Sequence, residues 1–464
     1  MSSTGVVLGS TSATFYVVLP PCTMNGIKIT FEDDYGASYT KSSATVVTIT
    51  RGRISNVGSV NCAPEDAATA TYYGTANCIL VESGQSVAFD AAPYYTTSPR
   101  YSAENNVSTA ATAVASAALL WRETALVISG VNYDSSTKKV TVAVGSGTGN
   151  AVVAIKDSDN NILWSYHIWV PETDPRTGLL TYNRASTNTE GVYQTFKVMP
   201  MMLGATSVVT AGMTIPEKAR GIGLYYQWGR KDPLGRVETV QDFTSGSTTL
   251  SKSNYAATVD GSGASVDWAT EKVVRNDVLG GVTGDDRNPF MVDYVTKNPM
   301  KYIDNGGTNA GPWFGNFKKL WGNPRVNTTN QYCLNSEIRK SVYDPCPAGY
   351  KVAPGGIFIY FATSSYLVNA ADSGSQGSDG GCAFYYNTET TDTDFYLLSA
   401  KRDYSRNGAF YGVGDSGYCW SSLDVDTGSG KHVRFSSSNN YNCYTFDSSD
   451  FTNAYPVRCV KDAE

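Results

Sequence analysis

Histidine is nearly absent from this 464-residue chain: only His167 and His432 can supply imidazole. Nine cysteines stand at 22, 62, 78, 333, 346, 382, 419, 443 and 459, with no Cys-x-x-Cys pair among them. Structural metal cages are built from closely spaced Cys and His ligands, so no metal site and no cofactor are expected. Most of the thiols read as buried and free. Charge is sparse at 17 % of residues, and the net charge is −6. A phosphate backbone is neutralised by clustered Lys and Arg, so nucleic acid is not an expected partner. The longest apolar candidate, AATAVASAALLW at 110–121, falls short of the roughly 18 residues that span a bilayer, so no direct membrane span is expected. Met1-Ser2-Ser3-Thr4 lacks the basic and apolar regions of an export signal, and the chain opens in mid-domain, as a processed or truncated form would.

Catalytic signatures are missing as well. GVGDSGYC at 412–419 is not a G-x-S-x-G nucleophile elbow. No local pattern marks a carboxylate pair for glycoside hydrolysis. GSGTG at 145–149 joins two strands without the helix whose N-terminus would hold a phosphate, and reads as a hairpin loop. Asp285-Asp286-Arg287-Asn288 is the densest charged cluster, but it lacks EF-hand spacing and reads as a solvated turn. The chain is not expected to be an enzyme.

What is present is Tyr, Thr, Ser and Gly in abundance, which suits half-buried strands joined by polar turns. The length allows two to four domains. In the stretch 75–175, VTVAV, AVVAIKD and ILWSYHIWV alternate with Gly-, Asp- and Asn-rich turns, as in an antiparallel sandwich. His167 falls inside the last of these strands and reads as a hydrogen-bonded structural histidine, because a working titratable group needs a cleft and partners. PETDPRTG at 171–178 reads as a linker. Between Asp403 and Tyr455 the alphabet narrows to Ser, Asn, Asp, Tyr, Gly and Phe, with Trp420 and Lys431 the only Trp and Lys and with Glu, Gln, Met and Ile absent. Tyr gives large contact area at low entropic cost, and Ser, Asn and Gly give adaptable hydrogen bonding. This stretch therefore reads as a recognition surface.

Several ordered phrases carry a family resemblance. SATFYVVLPP at 12–21, GIKITFEDDYG at 26–36 and SYTKSSATVVTITRG at 38–52 resemble the closing half of fimbrillin-like β-sandwich domains of Bacteroides-type pili. The series ANC, LLW, GNAVVAIKD and ILWSYHIWV resembles a surface-protein module that precedes C-type-lectin-like domains. GLYYQWGRKDPLG at 223–235, TKNPMKYI at 296–303, WFGNFKKLWG at 313–322, YDPCPAGYKVAP at 343–354, YCWSS at 418–422 and YPVRCVKD at 455–462 together resemble the large paralogous C-terminal domains of Bacteroidetes surface proteins, which belong with C-type-lectin-like folds. The EPN, QPD and WND signatures of calcium-dependent sugar-binding members are absent. So is a match to the reactive cysteines of formylglycine-generating enzymes, which share the fold.

The resemblance implies a mainly β chain with an α+β C-terminal domain: a partial fimbrillin-like sandwich over 1–64, a second sandwich over 65–175 and a C-type-lectin-like ligand-binding domain over 176–464. It implies a disulfide between Cys346 and Cys459 that ties the variable tail to the scaffold, and hence an oxidising compartment. Tyr225, Tyr226, Trp228, Trp313, Trp321 and Trp420 are expected in the core. The 403–455 alphabet resembles, with Trp420 and Lys431 as exceptions, that of diversity-generating retroelements, which mutate adenines of AAC and AAT codons and so never produce Glu, Gln, Lys, Met or Trp. On that resemblance Trp420, Ser421, Ser422 and Lys431 are scaffold. The expected ligand contacts are Tyr404, Arg406, Asn407, Tyr411, Asp415, Tyr418, Asp424, His432, Arg434, Asn439, Asn440, Tyr441, Asn442, Tyr444, Asp447, Asp450 and Asn453. Cys419 and Cys443 are either chance outcomes at variable positions or a local disulfide. The implied protein is an extracellular adhesin of the cell surface or fimbrium, attached at the outer membrane. Its partners would be a surface receptor, protein or glycan, and other pilus subunits joined by strand addition. A structural pilus subunit and a carbohydrate-processing surface enzyme are the alternatives.

Overall fold

The computed structural model describes residues 21–32, 38–43, 46–51, 76–91, 114–187, 193–240, 255–283, 287–306, 312–313, 320–322, 340–362, 380–386, 392–425, 428–436 and 443–462. Strand predominates among them, helix is minor, and no helix is long and apolar enough to cross a membrane. The chain divides into two compact units, Met1–Ala70 and Thr71–Glu464.

In the first unit, β1 (Cys22–Met24) and β2 (Ile27–Glu32) lead into β3 (Ser38–Ser43) and β4 (Val47–Ile49). β2 pairs antiparallel with β3, and β1 with β4. Cys22 lies opposite Ile49 and Ile27 opposite Ser43, so the register slips by one residue between the two ladders, as at a β-bulge. Each ladder has two strands among the described residues, and a two-stranded sheet is marginal without a neighbour.

The second unit opens with β5 (Cys78–Leu80), β6 (Ser86–Asp90), β7 (Ser116–Arg122), β8 (Ile128–Asp134), β9 (Lys139–Val144), β10 (Gly149–Lys156) and β11 (Ile162–Val170). β9 alternates strictly, with Val140, Val142 and Val144 buried and Lys139 and Thr141 exposed; it sits between β6 and β8 in a sheet with one face toward the core. β10 is buried along almost its whole length, as befits a strand with a neighbour on each side, β7 and β11, and packed faces. GSGTG at 145–149 thus carries the chain from one sheet to the other. The hairpin reading of that loop is corrected, because β9 and β10 pair with different strands.

The remaining elements are β12 (Leu180–Thr187), β13 (Tyr193–Met202), α1 (Ile215–Ala219), β14 (Tyr226–Gln227), β15 (Val259–Asp260), β16 (Lys272–Val274), α2 (Arg275–Leu279), α3 (Arg287–Lys297), β17 (Tyr302–Asp304) and β18 (Tyr350–Val352). After them come β19 (Gly381–Tyr385), β20 (Thr393–Leu397), β21 (Ser399–Asp403), β22 (Ala409–Val413), β23 (Ser416–Val425), β24 (Ser429–Ser436), β25 (Cys443–Asp450), β26 (Ala454–Tyr455) and β27 (Arg458–Lys461). β27 lies between β13 and β18, so the last strand returns to the beginning of this region. Cys346 and Cys459, on either side of the β18–β27 ladder, form a disulfide. Tyr225, Tyr226, Trp228, Trp313, Trp321 and Trp420 are all buried in the core.

The boundary expected at 175/176 falls inside this second unit. Two kinds of contact cross it. β15 adds to the β7 edge of the five-stranded sheet β15-β7-β10-β11-β5. Buried polar side chains also interlock: Asn77 Nδ2 donates to the carbonyls of Val342 and Asp344 at 2.7 and 2.9 Å, and its Oδ1 accepts from Trp164 Nε1 at 3.0 Å.

The second crossing centres on Asn150. Its Nδ2 donates to Glu123 Oε2 at 2.9 Å and to the Gly204 carbonyl at 2.7 Å, while Glu123 pairs with Arg236 at 2.6 Å. With both amide hydrogens given away, Asn150 Oδ1 accepts from His167 Nε2 at 2.8 Å, which fixes the neutral tautomer protonated on Nε2. His167 is the hydrogen-bonded structural residue expected of it. Asn150→Ala orphans three buried partners and is expected to cost about 3 kcal/mol, read as a lower urea midpoint. An unchanged midpoint would mean the network contributes nothing net.

Candidate ligand-binding face

The narrow-alphabet segment builds two sheets that meet at β26: β14-β26-β21-β22 and β23-β24-β25. Between β21 and β22 the chain turns through a single 3-10 turn, Tyr404–Arg406. Asp403 Oδ1 caps it by accepting from Ser405 N, and Asn407 and Gly408 reverse the chain at φ of 53° and 74°. The return places Tyr411 opposite Lys401. In β23 every residue from Ser416 to Asp424 is buried, so the strand is an interior one on both faces. β24 alternates, and β25 is the edge strand of its sheet.

Below the face lies a fixed aromatic floor. Tyr455 stacks on Trp420 at 4.1 Å and on Tyr418 at 4.8 Å between ring centroids, and His432 meets its edge at 4.9 Å. Trp420 Nε1 donates to the Tyr226 carbonyl, and Gly430 passes so close to the Trp228 and Trp420 rings that any Cβ would strike Trp228. Ser449 Oγ accepts from Tyr455 Oη at 2.7 Å and Asn453 Nδ2 at 2.6 Å; Asn453 Oδ1 accepts from the Tyr404 backbone at 3.0 Å.

Sequence reasoning placed Tyr418, Asp424, His432 and Asn453 among the ligand contacts. All four are buried and support the face from beneath. Burial holds the His432 imidazole down to about 3, against the opposing pull of Asp447, whose Oδ2 is 3.8 Å from Nε2. His432 Nδ1 has no hydrogen-bond partner among the described residues. The Tyr418 hydroxyl is pushed up to about 12, first by burial. Both are therefore neutral at physiological pH.

The candidates that do reach the surface are Tyr404, Arg406, Asn407, Tyr411, Asp415, Arg434, Tyr444, Asp447 and Asp450, and Tyr444 is the most open aromatic among them at 44 %. Asn439, Asn440, Tyr441 and Asn442 lie outside the described residues, as do Asp285 and Asp286. Arg287 and Asn288 open α3. Of the scaffold residues, Trp420, Ser421 and Ser422 are buried, and Lys431 Nζ donates to Ser448 Oγ at 2.6 Å across the β24–β25 ladder. Cys419 and Cys443 are free thiols, so the local disulfide between them is not formed. Burial pushes the Cys419 and Cys382 thiols up to about 12, which makes them inert.

Sequence reasoning missed Lys401 and Asp403. Lys401 Nζ sits 5.7 Å above the Tyr411 ring and 5.8 Å above the Tyr418 ring, and 3.3 Å from Asp403 Oδ2. Arg406 lies 4.3 Å over the other end of the row, again on Tyr411, and Arg434 lies 4.5 Å over Tyr444. In the ladder Arg434 is flanked by Tyr418 on β23 and Tyr444 on β25. The row therefore runs Arg406, Tyr411, Lys401, Tyr418, Arg434, Tyr444, alternating cation and ring across five strands. Register could have revealed it, since SAKRD and AFYGV pair as a hairpin across the start of the narrow segment.

A groove of about 630 Å³ elsewhere in this unit is lined by Leu119, Asp260, Asp267, Glu271 and Met300 among others. Asp260 Oδ1 is spent on the backbone of Ser262 and Ala264 and on Ser262 Oγ, whose hydrogen bond leads in holding the carboxyl low. Glu271 pairs with Lys301 at 2.8 Å. Comparison with protein-family models, curated proteins and solved structures finds no match to this chain.

Proposed function

We propose that the protein is a cell-surface or pilus-tip adhesin whose C-terminal region, of C-type-lectin-like type, displays a receptor-binding face on residues 401–450. The observation that carries the reading is the pairing of half-buried to exposed Tyr, Arg and Asp side chains on β22, β24 and β25 with a floor of Trp420, Tyr455, Tyr418 and His432. Anchoring aromatics on a preorganised base are what a binding surface requires, because little entropy is lost on docking. The return of β27 to β13 and the Cys346–Cys459 bond support the lectin-like description. The facing strand sets of 78–170 support a sandwich module. The ladders of the first unit, two-stranded among the described residues, are compatible with strand addition by a neighbouring subunit, since unpaired sheet edges seek partners.

Diversification by a retroelement belongs to the same proposal. The gene and its 3′ flank, sequenced across related isolates, are expected to show changes concentrated at adenine-rich codons of the exposed positions, with Trp420, Ser421, Ser422 and Lys431 constant. An even spread of changes would defeat that part. For the face itself, Tyr411→Ala and Tyr444→Ala in the full chain are expected to weaken attachment to target cells at least about tenfold each. Unchanged attachment by both variants would move the site elsewhere. The enzyme alternative calls for converging carboxylates in a deep pocket, and the groove described above offers turn-capping and paired ones instead.

A further inference from the structure

We infer that the face engages a protein partner through carboxylates that the partner presents, and that Arg434 and Lys401 are the groups that read them; this rests on the binding-face reading above. Arg434 stands on the central strand of the outer sheet with its guanidinium laid over Tyr444, and its side chain is 39 % exposed. Stacking uses the flat face of the guanidinium and leaves its in-plane N–H donors pointing outward. None of them has a hydrogen-bond acceptor among the described residues. The nearest carboxylate, Asp447, keeps Oδ2 3.9 Å from Arg434 Nε, and its Oδ1 accepts from Ser448 N. That is an ion pair without a hydrogen bond, so a partner's carboxylate can take both donors of the fork at no cost to a bond among the described residues.

Lys401 repeats the pattern one strand pair away. It is held over two rings, and the carboxylate it pairs with, Asp403, already accepts at Oδ1 from the backbone and hydroxyl of Ser405. Along the row of rings three cations, Lys401, Arg406 and Arg434, stand against two carboxylates, Asp403 and Asp447, while His432 and Tyr418 are neutral; over the whole face Lys431 on one side and Asp415 and Asp450 on the other make it four against four. The cations are therefore concentrated beside the rings on a chain of net charge −6. Charge complementarity of this kind steers an acidic partner and rejects a basic one. The rings argue against a sugar: carbohydrate recognition stacks C–H faces on open aromatic faces, and here Tyr411, Tyr418 and Tyr444 each carry a cation, with Tyr418 also covered by Tyr455.

The test measures binding of the full chain to polyglutamate, to hyaluronan as a carboxylated polysaccharide, and to polylysine, between about 50 mM and about 500 mM salt, a range over which the screening length shrinks severalfold. Polyglutamate is expected to bind best and to weaken as salt rises. Arg434→Gln and Lys401→Gln are each expected to bind it at least tenfold more weakly. Arg434→Lys, which keeps the charge and loses the planar fork, is expected to recover only part of the affinity. All three variants should keep the wild-type unfolding midpoint, which separates lost reading from lost fold. Equal binding by wild type and variants, or preference for polylysine, overturns the inference, and preference for hyaluronan overturns the protein partner. If Tyr411→Ala and Tyr444→Ala abolish attachment to cells while Arg434→Gln and Lys401→Gln retain it, the face stands and this inference falls.

Discussion

Removal of the Cys346–Cys459 disulfide, as Cys346→Ala with Cys459→Ala, is expected to destabilise the second unit by about 5 kcal/mol. The bond closes a loop between residues 113 apart, and in the chain-entropy model such closure removes that much freedom from the unfolded chain. The measurement is the urea midpoint of the oxidised wild type against the double variant and against the reduced wild type. A shift much smaller than this would mean that β27 is held by its ladders alone. Those ladders are substantial: β27 pairs with both β13 and β18, and Leu203 N and Ala353 N donate to the carbonyls of Val457 and Arg458 at 2.9 Å each. The native state should therefore persist in the variant under mild conditions. Trp420 N also donates to the Pro456 carbonyl at 3.0 Å, which keeps Tyr455 under the face. Binding is expected to suffer less than stability.

The parts legible in the sequence are those where one residue type has one use. Alternation in VTVAV marked β9, and the aromatic set Tyr225, Tyr226, Trp228, Trp313, Trp321 and Trp420 marked a core that these residues do form. The assignment of surface positions was harder, for a physical reason. A strand exposed on one face reports its orientation through alternating polarity, but β23 is buried on both faces, so polar Asp424 carries no sign of where it points. His432 and Asn453 misled in the same way: polar side chains inside a floor of rings satisfy backbone and neighbours, and composition cannot tell that use from recognition. Lys401 and Asp403 escaped because their role depends on cross-strand register, which sequence fixes only once the turn at Asn407 and Gly408 is known. The polar links through Asn77 and Asn150 were equally invisible, since each joins groups from distant parts of the chain.

Acid should unfold the second unit through its two histidines. Burial holds both His167 and His432 at about 3, where an unfolded histidine titrates near 6.5. Between those values the unfolded chain binds protons that the folded chain refuses, so stability rises with pH across the window and is lost progressively as pH falls from about 6.5 toward 3. Each histidine then withdraws up to roughly 5 kcal/mol at the acid end, one pKa unit being about 1.4 kcal/mol. Asp344 and Asp394 act with the opposite sign, because burial raises both carboxyls and the folded chain binds their protons more readily. The histidine contribution is isolated by variants that do not titrate. His167→Gln keeps a donor for Asn150 Oδ1, and His432→Phe keeps a ring edge-on to Trp420 and Tyr455. Each variant is expected to flatten the plot of unfolding free energy against pH between 6.5 and 3, and the pair together to flatten it further, whatever their stability at pH 7. A slope equal to that of the wild type in both variants would assign the acid sensitivity to carboxylates held low in the fold, such as Asp174 beside Arg176 and Asp157 beside Asn161. Above pH 6.5 neither histidine changes charge in the folded state, so binding at the face should be flat with pH through the physiological range.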